Sequence, residues 1–204
     1  MTGSKPKPAP TRDRIFVAAK ALFDKHSLPG LSMRQIADAV GVTPMAIYKH
    51  YADKNAVIDA LMLDGFAAWE ARVGAIKAVS PLAWLEALSL AFLNFALTSP
   101  RRYEAAFLLP ASQARRYPDD FVSGHSPAAN MIVARINEAQ KQGLIEAAIP
   151  PTDIVLAISA LGQGLISMYH SGRFVNESRF RAAYRDALRH CLKSYQTPGR
   201  KAKP

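Results

Sequence analysis

Met33-Arg-Gln-Ile-Ala-Asp-Ala-Val-Gly-Val-Thr-Pro-Met-Ala-Ile-Tyr-Lys-His-Tyr-Ala52 decides the reading of this chain, because its glycine, proline and apolar positions are spaced for two short helices joined by a tight turn. Ser32, immediately before it, can cap the first helix, with Gln35 three residues on to complete a capping box. Ile36, Ala37 and Val40 then share one apolar face. Gly41 ends that helix, since glycine enters the left-handed backbone without a Cβ penalty. Thr43-Pro44 starts the next one: threonine offers an N-cap hydroxyl, and proline is preformed for the first helical position. Ala37 is small enough for the second helix to cross closely, while Ile47 and Tyr51, four apart, face back into a core. Met45, Ala46, Lys49 and His50 are left pointing outward.

Two helices so arranged form a helix-turn-helix, the unit that places its second helix in a DNA major groove. An ordinary helical hairpin with Lys49 and His50 on a solvated face has the same local pattern, so the surroundings decide. Upstream, Arg12 to His26 carries Ile15, Ala19, Leu22 and Phe23 at helical spacing and stops before Leu28-Pro29-Gly30. Downstream, Asp53 can cap a long helix that begins at Lys54.

Taken together, Ala18 to Phe23, Ser32 to Ala37, Gly41-Val42-Thr43, Ile47-Tyr48-Lys49-His50-Tyr51 and Asp53-Lys54 before Val57, Ile58 and Leu61 make Thr11 to Leu61 resemble the DNA-binding domain of the tetracycline-repressor (TetR) family of bacterial regulators. By motif the resemblance covers about the first quarter of the chain, and the rest only by helix count and length. It implies a homodimeric repressor that binds a palindromic operator on double-stranded DNA and is released by a small-molecule effector. It also implies that Arg34, Thr43, Pro44, Met45 and Lys49 lie at the groove, while Tyr48, His50 and Lys54 hold the phosphate backbone. The side-chain chemistry suits these roles. Lys49 or Arg34 can donate to guanine, Pro44 and Met45 can touch a thymine methyl, and the Thr43 hydroxyl favours phosphate.

Composition agrees. The 204 residues carry a formal net charge of +10 and a pI near 9.9, which favours a polyanionic partner, and half of them are apolar, enough for a substantial core. Up to Lys54 nine basic residues stand against four acidic ones, so half the excess charge lies in the first quarter of the chain. A single cysteine, Cys191, excludes an internal disulfide framework and fits a reducing compartment. Residues 1–10 are polar and proline-rich, without the apolar stretch of a signal peptide, so the expectation is a cytoplasmic protein with a disordered basic arm. A similar tail, 198–204, follows at the other end.

An all-α chain of about nine helices is expected, with residues 11–56 as the DNA-binding domain and 57–197 as a larger helical domain for ligand binding and dimerisation. Ser80-Pro81, Ser99-Pro100 and Ser126-Pro127 each place a capping hydroxyl before a proline and should open a helix. The expected spans are Lys54 to about Lys77, Pro81 to Leu97, Arg101 to about Leu109, Pro127 to Lys141, Ile154 to Tyr169, and Glu177 to about Gln196. Ala111 to Gly124 reads as a loop or a short turn of helix. Ile154 to Tyr169 is free of charge but too short and too polar for a membrane span, so burial against protein is expected and no membrane partner.

Within the larger domain, Ile158, Leu161 and Leu165 with Tyr184 and Leu188 are the candidate dimer contacts, eased by the small Ala157, Ala160 and Gly164. Trp84, Phe92, Phe95, Phe107, Met131 and Met168 are candidate lining for a mostly apolar ligand, with Asn94, Gln163 and Ser167 to orient a polar group. The same residues would equally build an ordinary core. Enzyme chemistry finds no foothold. The five histidines are scattered without metal-ligand spacing, so no metal or cofactor is expected. His190 and Cys191 are helical neighbours pointing in different directions, and Gly162-Gln-Gly164 lies inside an apolar helix rather than after a strand. The competing readings are an effector-independent or architectural DNA-binding protein and, further off, a small helical enzyme or lipid-binding module.

Overall fold

The computed structural model describes residues 10–114, 116, 117, 119–122 and 126–198, with backbone alone at 121 and 122. The expectations for the basic arm and the tail fall on 1–9 and 199–204, outside the described residues. Ten helices follow in order: α1 Thr11–His26, α2 Met33–Val40, α3 Pro44–Tyr48, α4 Lys54–Gly74, α5 Pro81–Thr98, α6 Pro100–Phe107, α7 Asp119–Val122, α8 Pro127–Lys141, α9 Pro151–His170 and α10 Glu177–Ser194. A 3-10 turn, Leu28–Gly30, joins α1 to α2. Among the described residues there is no strand, only an isolated antiparallel pairing of Ile145 with Gln196.

The starts of the helices follow the capping chemistry. Ser80 Oγ accepts from the Ala83 N–H at 3.2 Å and Ser126 Oγ from the Ala129 N–H at 3.4 Å, each with proline at the first helical position. Ser99 acts differently: its N–H donates to Phe95 O and closes α5, while its hydroxyl accepts from Arg72. Two limits differ from the periodicity. α4 stops at Gly74 rather than near Lys77, and α9 begins at Pro151 rather than Ile154, because a proline in the first turn gives up no helical hydrogen bond. The tenth helix is α7, where the acidic Asp119 and Asp120 occupy the first turn of a segment expected to be loop or a short turn.

The chain packs as two compact units, one of the described residues up to Phe66 with Arg101–Ala114, the other of Ala67–Pro100 with the described residues beyond 115. In the first, Ile15, Ala19, Phe23, Leu31, Ile36, Ala37, Ile47, Tyr51, Val57 and Leu61 form a core that Ala105 of α6 joins. The packing boundary therefore falls within α4, not at residue 56, and the first unit takes in a segment that sequence order places in the larger domain. Close approach explains it. A Cβ on Gly65 would lie 2.6 Å from Arg102 O and 3.0 Å from the Ala106 Cβ, so α6 crosses α4 where there is no side chain.

Ion pairs hold the crossing. Asp64 Oδ2 accepts from Lys20 Nζ at 2.5 Å and from Arg102 Nε at 3.1 Å, tying α1, α4 and α6 together. Burial alone would raise the Asp64 pKa, but the Lys20 bond and charge, with those of Arg102, outweigh it and hold the carboxyl below its ordinary range. The buried Asp59 accepts from the Ser112 hydroxyl and the Gln113 N–H, which fastens the chain after α6 to α4.

In the second unit α5 is the central helix, packed against α8, α9 and α10. Its Trp84, Leu85, Leu88, Phe92, Leu93, Phe95 and Ala96 are buried, and Trp69 meets Phe92 edge-on at 5.2 Å and stacks on Phe95 at 5.8 Å. By length and composition α5 and α9 would each cross a membrane. One face of α5 and the α9 residues Ile154, Val155, Ile158, Gly162 and Ile166 are buried within the unit.

Candidate nucleic-acid interface

The turn between α2 and α3 is built as its sequence requires. Ser32 Oγ accepts from the Gln35 N–H at 3.2 Å and donates to Gln35 Oε1 at 2.8 Å, so the glutamine returns to the hydroxyl rather than to the cap backbone. Gly41 sits at φ 76° and ψ 39°, and the N–H groups of Gly41 and Val42 both donate to Ala37 O. Thr43 is the N-cap of α3 with extended backbone, yet its side chain makes no capping bond. Pro44 alone presets the start of α3, and the Thr43 hydroxyl stays exposed.

α3 is short, and its orientation comes from what it buries. Ile47 is 0% exposed and Tyr51 5%, both set among Ile15, Ile36, Ala37 and Val57. With that side fixed inward, Met45 at 71% exposure and Tyr48 at 47% stand outside. Thr43, Pro44, Lys49, His50 and Arg34 are exposed as well. The residues expected at the groove, Arg34, Thr43, Pro44, Met45 and Lys49, are thus all exposed. Lys54, expected at the phosphate backbone, differs: it is half-buried, and its Nζ donates to Leu28 O at 3.4 Å, fastening the start of α4 to the 3-10 turn.

Two basic residues that periodicity did not single out are drawn to this motif. The Arg12 guanidinium lies 5.4 Å from the centroid of the Tyr51 ring, and Arg14 Nη2 donates to Val40 O at 3.0 Å. No signal in the sequence pairs Arg12 with Tyr51, because only the fold brings α1 beside the end of α3.

The candidate ligand residues differ in burial and in the unit to which they belong. Trp84, Phe92 and Phe95 are buried, Phe107, Met131 and Gln163 are half-buried, and Asn94, Ser167 and Met168 are exposed. Phe107 packs in the first unit against Phe66 and Tyr103, whereas the aromatic residues of α5 belong to the second. Asn94 Oδ1 accepts from Arg181 at 3.0 Å on the outer side of α5. Open hollows of about 70 and 400 Å³ lie between α5 and α10, sharing Leu90 and Arg185, and Asn94 lines the larger of the two.

The candidate dimer residues also divide. Ile158, Tyr184 and Leu188 face inward, at 6%, 1% and 2% exposure, because α9 and α10 pack on each other. Tyr184 even approaches Gly162, whose absent Cβ would be 3.0 Å from its hydroxyl. Leu161 and Leu165 are half-buried at the edge of that contact. The outward row on α9 is Leu156, Ala160, Gly164 and Met168.

An all-α chain that carries a helix-turn-helix, with its exposed side aligned on a buried Ile47–Tyr51 anchor, defines a DNA-binding regulator. Residues 15–61 match the model of bacterial regulatory proteins of the tetR family, and residues 85–193, more than half of the chain, match the tetracyclin repressor-like C-terminal domain. The chain belongs to this family and is a transcriptional regulator with a DNA-binding helix-turn-helix.

The curated relatives are matched over less than a third of this chain and less than a third of their own length. The HTH-type transcriptional repressor DrrR1 of Streptomyces coeruleorubidus is 42% identical over 59 residues, which are 29% of this chain and 22% of DrrR1. The HTH-type transcriptional regulator UidR of Escherichia coli K12 is 35% identical over 54 residues, 26% of this chain and 28% of UidR. The fold extends further. A Rhodococcus sp. RHA1 protein of unknown function superposes at TM-score 0.73 with 24% identity, covering 95% of this chain and 100% of that one. A TetR variant from Acinetobacter baumannii AYE in complex with minocycline superposes at TM-score 0.63 with 18% identity, covering 88% of this chain and 93% of that one.

Proposed function

We propose that this chain is a dimeric cytoplasmic repressor that holds a palindromic operator and leaves it when a small-molecule effector binds. The observation that carries the DNA part is the exposure of Thr43, Pro44, Met45, Lys49 and His50 on a motif anchored by the buried Ile47 and Tyr51. One short helix reads only a few base pairs, so a palindrome read by two symmetry-related copies is the natural target. The repressor role follows DrrR1, which is named as one. Effector release follows the family fold, one neighbour of which holds minocycline. Selection from a randomised duplex pool tests the DNA part. It should enrich a palindrome with half-sites about one helical turn apart. Met45→Ala and Lys49→Ala should each relax preference at one base pair by about 1–3 kcal/mol. A pool that shows no enrichment would sink the reading.

Binding without an effector is the second reading, and one observation favours it. Trp69 is in ring contact with both Phe92 and Phe95, and all three are buried with Trp84, so this part of the second unit is filled by its own side chains.

A further inference from the structure

We propose that Arg12, in the first turn of α1, is a phosphate contact of the DNA complex, held in place by the ring of Tyr51. The inference rests on the DNA-binding reading and adds to it a residue from outside the helix-turn-helix. The Arg12 guanidinium carbon is 5.4 Å from the Tyr51 ring centroid. That ring is itself fixed: Tyr51 is 5% exposed and its N–H donates to Ile47 O at 3.0 Å, three residues past the end of the reading helix. Tyr48, Lys49 and His50, just before it, are exposed. Arg12 therefore stands at the end of the open side, although it lies more than thirty residues earlier in the chain.

The chemistry of the contact selects its partner. A guanidinium stacked on a ring spends its face and keeps its edge donors, the fork that matches two phosphate oxygens. Arg12 is exposed, and among the described residues it makes no ion pair with a carboxylate, unlike Lys20, Arg101, Arg102, Arg135, Arg181 and Arg189. Two residues on, the bond from Arg14 to Val40 O secures the same turn of α1 to the end of α2. The first turn of α1 is thus braced on both sides of the reading helix, and the charge it carries keeps a constant place beside it. A backbone contact there sets register without reading bases.

Salt dependence separates this role from a structural one. The probes are a duplex selected by the wild-type protein from a random pool and a mixed-sequence duplex of equal length. Arg12→Gln should bind both about tenfold more weakly. It should also flatten the fall of log K with log salt by about 0.9 per half-site, with sequence preference unchanged. Arg12→Lys should keep the slope but bind less tightly, since an ammonium lacks the fork. Arg12→Gln should melt with the wild type because the side chain is exposed. An unchanged slope in Arg12→Gln overturns the proposal while leaving DNA binding intact. A wild type that binds neither duplex overturns the DNA-binding reading itself, and this proposal with it.

Discussion

Gly41 and Gly65 are both required in the first unit, for opposite reasons. At Gly41 the backbone is left-handed, φ 76°, and nothing lies within 4 Å of where a Cβ would be. Alanine there meets only backbone strain, of about 1 kcal/mol. At Gly65 the backbone is helical, and a Cβ would meet the Arg102 carbonyl at 2.6 Å. A carbonyl in a helix cannot move aside as a side-chain tip can, so Gly65→Ala should cost about 1–3 kcal/mol, offset only slightly by better helix propensity. Denaturant unfolding of the two variants gives the comparison; a Gly65→Ala protein as stable as wild type would mean that α6 does not close on α4 as seen. The two differ in legibility for the same reason. Gly41 announces itself because its neighbours demand a turn, whereas Gly65 reads only as one more small position in a helix, its cause lying at Arg102 and Ala106. The Arg12–Tyr51 stack is hidden in the same way.

Along α9 the apolar residues occupy both sides, and burial distinguishes them. Ile154, Val155, Ile158, Gly162 and Ile166 face the unit's own core, while Leu156, Ala160, Gly164 and Met168 form an exposed row at steps of four. Rows at that spacing are the ridges by which helices pack, and Ala160 and Gly164 would allow another helix close. A second copy of α9 across a two-fold axis fits such a row, so the dimer is expected there. Leu156, 43% exposed, is the sharpest probe. Leu156→Glu should leave the melting temperature of the separated chain unchanged but place two unpaired carboxylates opposite each other, and light scattering at micromolar concentration should report a monomer. A dimer unaffected by Leu156→Glu and by Met168→Glu would move the contact elsewhere. From sequence the helix was plain but its facing was not. With no charge between Ile154 and Tyr169, polarity could not orient it, and Ile158, Tyr184 and Leu188 were assigned outward when the packing of α10 on α9 takes them in.

Helix order was legible along most of the described residues because several starts carry their own local chemistry, as at Ser80-Pro81 and Ser126-Pro127, whereas α7 and the start of α9 were not. The division into units was not, since α6 joins the first through contacts distant in sequence, Asp64 with Arg102 and Asp59 with Ser112. α4 runs as one helix from Lys54, in the first unit, to Gly74, in the second. If effector control is present, it must appear as a coupling free energy between ligand and operator, each weakening the other by the same factor. A thermal-shift screen of small molecules finds the ligand first: at a hundred times its Kd a single-site binder adds about 2.7 kcal/mol, raising the midpoint by roughly 5–10 °C. Operator titrations with and without the hit then measure the coupling, expected at about 1–3 kcal/mol, or roughly 5–150-fold weaker DNA binding. The reciprocal titration, ligand into the protein with and without operator, should return the same factor, and a weakening that levels off at saturating ligand distinguishes this coupling from simple competition for the DNA face. A ligand that raises the midpoint and leaves operator affinity unchanged would favour the effector-independent reading, in which the packed Trp69, Phe92 and Phe95 are core and nothing more.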